Sequence, residues 1–258
     1  MRSPLSILAA LALAALALAP PAYGAPEVLF KVLPVPIAGF PGTGYRHGAG
    51  AALQVEYRIS GTEYGGFPPP LIGVRFYLPA GTRLHPAGFP TCSAETVLVE
   101  REPSRCPAGS HAGPPGTVQG IVAFGGTRVP EEASLESFFA PGGGLEFFTS
   151  GHDPVSLEIP STATYENIAG AGGSGPVLIS QVPLVETVPG APDASVERIT
   201  VMVGAAIRIH GRPVYYGTVP ASCPKAGFQV RTALTFAALG GLAQQTVDVQ
   251  YTAPCPRH

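Results

Sequence analysis

Four cysteines carry the most readable chemistry in this 258-residue chain. Cys92 and Cys106 lie within FPTCSAETVLVEREPSRCPAGSHAG (residues 89–113), and Cys223 and Cys255 lie near the C-terminus. No CxxC pair occurs, and no two histidines fall at i,i+2 or i,i+4, so neither a redox motif nor a preformed zinc site is spelled out. Cys106 with His111 is too small a donor set, and no metal or cofactor is expected. An even cysteine count in an exported chain reads as two disulfides, with three pairings possible. The favoured set is Cys92–Cys106 with Cys223–Cys255. These would close loops of 15 and 33 residues, worth about 3 and about 3.7 kcal/mol by chain entropy.

Nucleophilic and acid–base patterns are incomplete. Gly172-Gly173-Ser174-Gly175-Pro176 approaches a nucleophile elbow, but Pro176 stands where a glycine is required and no helical pattern follows. His152-Asp153 lies in Gly-His-Asp-Pro, which reads as a turn with Asp153 bonding the backbone. The three aspartates (Asp153, Asp193, Asp248) are too far apart for a calcium loop. Glu131-Glu132 reads as a solvated turn. Paired glycosidase carboxylates could come together only through folding. No catalytic residue is assigned. The favoured reading is a non-catalytic binding or structural protein, and its alternative is an extracellular hydrolase assembled from Ser174, His152 and the glutamates.

Aromatic residues offer a binding surface instead. Tyr64, Tyr215 and Tyr216 could stack on sugars, although the chain has no tryptophan. Tyr215 and Tyr216 are adjacent, so in a strand one would be buried and the other exposed. Phe138 and Phe147 belong to a hairpin, Leu135–Ala140 and Leu145–Thr149 around Pro141–Gly144. A four-residue loop sets Phe138 opposite Phe147 and Phe139 opposite Glu146. Both faces then carry aromatic surface. A cell-wall polymer, a polysaccharide or a lipid is the expected kind of partner.

The elements that must position these residues are strands. Residues 1–24 read as an export signal: Arg2, an apolar run from Leu5 to Ala19, then small residues at Ala22 and Gly24, with cleavage before Ala25. The run is short for a bilayer span, so the remaining 234 residues are not expected to be an integral membrane protein. Their formal charge of −3 is too near neutral to favour nucleic acid. The 33 glycines and 30 prolines make nearly a quarter of the chain and approach low-complexity composition, yet apolar and polar residues alternate between them. Ala52–Ser60 alternates most clearly, with Leu53, Val55, Tyr57 and Ile59 on one face. Further strands are expected at 27–33, 73–78, 116–124, 154–159, 177–188, 196–210, 212–219, 228–238 and 245–251. Ser93 suits the start of one short helix after Cys92, ended by Pro103. The pattern predicts an all-β chain: a β-sandwich or jelly-roll-like pair of antiparallel sheets in one domain, 25–258, with a helix in the Cys-bounded insert and a disulfide-tied hairpin at 223–255.

Two stretches carry a resemblance. Pro90-Thr91-Cys92-Ser93 through Cys106-Pro107-Ala108-Gly109-Ser110, with Cys223-Pro224 through Phe228 and Phe236 to Cys255-Pro256, resembles a group of uncharacterised secreted proteins of high-GC Gram-positive bacteria. Ala112 departs from it, since valine is usual there. The resemblance implies a secreted, disulfide-tied β fold and brings no activity or catalytic residue with it.

Overall fold

The computed structural model describes residues 24–44, 48–124, 127–152, 156–166, 174–186, 193–239 and 241–255. Residues 1–23, which carry the export-signal expectation, lie outside this set, as does Asp153.

The chain is all-β. Its strands are β1 (Glu27–Val35), β2 (Ala52–Ser60), β3 (Leu71–Pro79), β4 (Arg83–Leu84), β5 (Gly116–Phe124), β6 (Thr127–Phe139), β7 (Leu145–Gly151) and β8 (Leu157–Glu166). They continue as β9 (Ser174–Gln181), β10 (Ser195–Val203), β11 (Ala206–Ile209), β12 (Arg212–Tyr215), β13 (Gly217–Thr218), β14 (Phe228–Phe236) and β15 (Gln245–Ala253). Eleven of them form one sheet in the order β1-β2-β10-β5-β6-β7-β8-β9-β3-β14-β15. β1 and β15 come back into contact, so the sheet is a nearly closed barrel.

This corrects the expected pair of sheets. Alternating strands with one apolar face suit a sandwich and a barrel equally, and only the order of pairing separates them. Sequence neighbours are split here: β10 inserts between β2 and β5, and β3 pairs with β9 and β14. Every adjacent pair in the ring is antiparallel. An odd number of strands then forces β1 and β15 to run parallel where they meet. The ladder ends at that seam, which side chains cover instead.

Alternation sets the polarity of the wall. In β2, Val55, Tyr57 and Ile59 are buried inside, while Gln54, Arg58 and Ser60 are exposed outside. In β14, Val230, Thr232, Leu234 and Phe236 are buried, with Gln229 and Arg231 exposed. In β15, Thr246, Asp248, Gln250 and Thr252 face out. An apolar lumen with a polar exterior reverses the pattern of an outer-membrane barrel. Among the described residues, no helix is long and apolar enough to cross a membrane.

Both disulfides form, Cys92–Cys106 and Cys223–Cys255. The expected helix after Cys92 is cut down to one π-helical turn. Ser93 Oγ does accept from the Thr96 N–H at 3.2 Å, but Glu95–Val99 makes only a single wide turn, closed by Glu100 N–H to the Glu95 carbonyl at 2.9 Å. Pro103 opens a separate 3-10 turn, Pro103–Arg105, that leads into Cys106. This insert lies on the outer face of β6 and β7, where Val97, Cys92, Phe138 and Phe148 pack as a small second core.

Three local expectations change. The hairpin loop spans Ala140–Gly144, so Phe138 faces Glu146, Phe139 faces Leu145, and Ser137 faces Phe147. The Gly143 N–H to Ala140 carbonyl bond (3.2 Å) and the Ala140 N–H to Gly144 carbonyl bond (2.9 Å) close this wider turn. Glu131-Glu132 belongs to β6 and is no turn, with Glu131 buried and Glu132 exposed. The run 196–210 breaks at Gly204 (φ +137°), where an added Cβ would meet Ala52 Cα at 2.5 Å; β10 ends there and β11 leaves the barrel.

Candidate ligand-binding cavity

One rim of the barrel, where β1 and β15 end, is plugged by aromatic residues from outside the ring. Phe89 and Tyr216 close on Phe139, with Phe139 and Tyr216 stacked at 4.3 Å and Phe89 edge-on to both. The Tyr216 hydroxyl donates to the Gly143 carbonyl at 2.7 Å, so the plug is tied to the β6–β7 loop. Burial pushes the Tyr216 phenol up to about 12, and Tyr165 beside it is likewise raised by burial and by Tyr216. Both stay neutral at ordinary pH. At the opposite rim Phe67 and Ile121 pack together with Tyr64 edge-on to Phe67, and the buried prolines Pro68 and Pro70 lead into β3.

Between the rims is a cavity of about 250 Å³, lined from all eleven strands of the ring. Val32, Leu53, Val55, Ile199 and Val201 form one wall, and Val118, Leu135, Phe147, Ile159, Leu178 and Val74 continue it. Several of these inward residues, among them Leu53, Val74, Leu178 and Val201, are only half-buried although they point away from bulk solvent. The lumen is therefore incompletely filled. Its volume exceeds the roughly 150 Å³ of an engineered apolar cavity that takes up benzene, and lies just below the roughly 300–1,000 Å³ range of small-molecule pockets.

The residues singled out for binding are separated by this geometry. Phe138 is fully buried outside the barrel under the insert, whereas Phe147 points inward and lines the cavity. Tyr216 is buried at the plug and also lines it. Tyr215 lies on the outside, half-buried against Phe40, with its ring so close over Gly50 that a Cβ there would sit 2.1 Å from its Cγ. Tyr64 packs on Phe67 near Asp193, and burial raises its phenol. Tyr64, Tyr215 and Tyr216 share no common platform. The lining residues were visible in the sequence as apolar alternation, but only closure of the ring turns an inner face into a cavity.

The hydrolase candidates do not converge. Ser174 opens β9 opposite Pro79, at the rim where β3 ends, and His152 follows Gly151 at the other end of the barrel. Through the ladder from Ser174 to Gln181, across Thr162 to Glu146 and on to His152, about thirteen residues of strand, on the order of 40 Å, separate the two positions. Cys106 is in a disulfide and unavailable to a metal, and among the described residues no three His, Cys, Asp or Glu side chains gather to hold one. A second, open groove on the outside runs between Leu98, Arg101, Glu158 and Pro183–Glu186, and its lining mixes charged and apolar groups.

The chain matches no protein-family model, no curated protein and no solved structure.

Proposed function

We propose that this chain is an exported, non-catalytic binding protein that holds an apolar small molecule inside its barrel, at or outside the cell envelope. The observation that carries the reading is the continuous apolar cavity walled by all eleven strands. A protein interior normally closes to crystal-like density. An apolar lumen of this size costs stability unless something occupies it. The two disulfides fit an oxidising compartment and support export, as does the apolar N-terminal run. The resemblance to secreted proteins of high-GC Gram-positive bacteria supports the same location. Of the partners considered from sequence, a lipid suits the cavity best, because sugars need hydrogen-bonding walls and stacked aromatic faces.

The test is titration with the fluorescent apolar probe N-phenyl-1-naphthylamine, together with mass spectrometry of organic extracts of the purified protein. The expected result is saturable, blue-shifted emission at one site per chain and a co-purifying apolar compound displaced by the probe. Emission that stays linear with probe concentration would overturn the proposal.

A further inference from the structure

The cavity wall says more than that the ligand is apolar. Among the described residues, none that lines it is Asp, Glu, Lys, Arg or His. Its polar side chains are hydroxyls, and several are already engaged. Tyr57 meets Thr232 at 3.1 Å, Tyr216 donates to the Gly143 carbonyl, and Tyr165 meets Tyr216. Thr82 and Thr218 sit at the plugged rim, beside β4 and within β13.

Three hydroxyls remain on the long wall, and they are on consecutive strands: Thr149 on β7, Ser161 on β8 and Ser180 on β9. The ladder makes them neighbours. Thr149 is opposite Ile159, two residues from Ser161, and Ser180 is opposite Ala163, again two residues from Ser161. Diagonal pairs of this kind lie about 7–8 Å apart on one face of a sheet. The result is a short polar stripe across three strands, and β1, β2 and β10 on the far side of the ring present aliphatic residues to it.

Resting on the reading of this cavity as a ligand site, we infer that the ligand is an uncharged molecule with an extended apolar body and one hydroxyl or carbonyl group, which the Thr149–Ser161–Ser180 stripe receives. A hydroxyl both donates and accepts, so the stripe can satisfy either group. A carboxylate or phosphate would enter a wall with no cation to pair it, at a desolvation cost far above that of a neutral group.

The experiment displaces N-phenyl-1-naphthylamine from the full mature chain with three probes of one length: 1-decanol, decane and decanoate at pH 8. Decanol is expected to displace at the lowest concentration, about tenfold below decane and at least tenfold below decanoate. The Thr149→Val, Ser161→Ala, Ser180→Ala triple variant, shown to be folded by its circular dichroism spectrum and cooperative urea unfolding, is expected to lose the preference of decanol over decane. Equal displacement by decanol and decanoate overturns this inference and leaves the binding reading intact. So does a folded triple variant that still prefers decanol over decane. Failure of wild-type protein to bind the naphthylamine or any of the three overturns both.

Discussion

Phe30 and Tyr251 meet edge-on across the junction of β1 and β15, their ring centroids 6.3 Å apart and their planes at 79°. This contact stands where a strand ladder would otherwise close the barrel. Phe30 also stacks on Tyr57 at 5.2 Å and meets Phe76 edge-on, so the seam is continuous with the core. The amides of β1 and β15 that face the seam are expected to exchange hydrogen faster than those of β3 or β7, each laddered on both sides. Tyr251→Ala removes an aromatic pair worth about 0.5–1.5 kcal/mol, which converts to a roughly two- to tenfold faster release of a bound probe if the seam is the way out. Hydrogen-exchange mass spectrometry and stopped-flow release measure the two. Equal protection of β1 and β7, or an unchanged release rate, would place the way out at a rim.

The two disulfides act on different parts of the fold, and their losses should differ in kind. Replacing Cys223 and Cys255 by alanine frees the end of the β14–β15 hairpin and therefore one side of the seam. It is expected to cost about 3.7 kcal/mol of global stability. Replacing Cys92 and Cys106 should cost about 3 kcal/mol and loosen the insert over Phe138 and Phe148. Denaturant titration gives the global costs. Limited proteolysis near Arg101 and Arg105 should detect only the second pair, and cleavage enhanced equally by the first would refute this division.

How much of this was legible in the sequence follows from which interactions are local. β2 and β5 occupy the segments that alternation marks, and both disulfides are the pairing favoured among the three that four cysteines allow. The expected hairpin register differs from the observed one by one residue because the sequence does not say whether Ala140 belongs to the strand or the loop. That single step moved Phe147 from Phe138's face to the opposite one. The insertion of β10 between β2 and β5 is a pairing of residues far apart in the chain, with no local signature. The cavity depends on that order, so its lining residues were recognisable as buried but not as walls of a common space.

Tyr57 and Thr232 form a buried hydroxyl pair at 3.1 Å inside an otherwise apolar region of the barrel. Burial drives the Tyr57 phenol well above its ordinary value, so it stays neutral and needs its partner. Thr232→Val should therefore cost about 1–3 kcal/mol, since it leaves a buried hydroxyl unpaired. The double variant Tyr57→Phe, Thr232→Val should recover most of that loss. Urea titration of the four proteins closes the cycle, and strictly additive effects would show that the pair is not coupled.

Glu146 is buried on the outer face of β7, across from Phe138, and one of its carboxylate oxygens has no hydrogen-bond partner. Burial raises its pKa, and a hydrogen bond with Thr162 only partly opposes this. The folded chain thus holds the proton to higher pH than the unfolded chain. By linkage, stability falls as pH rises from the ordinary carboxylate range through the raised value, and the deficit persists above it. Glu146→Gln should raise the urea midpoint at pH 7 and shrink the difference between pH 4 and pH 7. A lower midpoint at pH 7 would mean that the charge is stabilised in place.

Val201 projects into the cavity from β10 and is only half-buried there. A larger side chain at this point should enter free volume and displace none of the packed core. Val201→Phe is therefore expected to cost less than the roughly 1–3 kcal/mol typical of overpacking a filled core. It should also weaken naphthylamine binding at least tenfold, because the ring occupies space the probe requires. Phe236→Ala, at a fully buried position outside the lining, makes the contrast: it should cost about 3–5 kcal/mol through the void it leaves, with little effect on probe affinity. Thermal unfolding and probe titration on both variants separate cavity from core. A Val201→Phe protein as destabilised as Phe236→Ala, with probe affinity intact, would show that the lumen closes in solution and that the ligand site lies elsewhere.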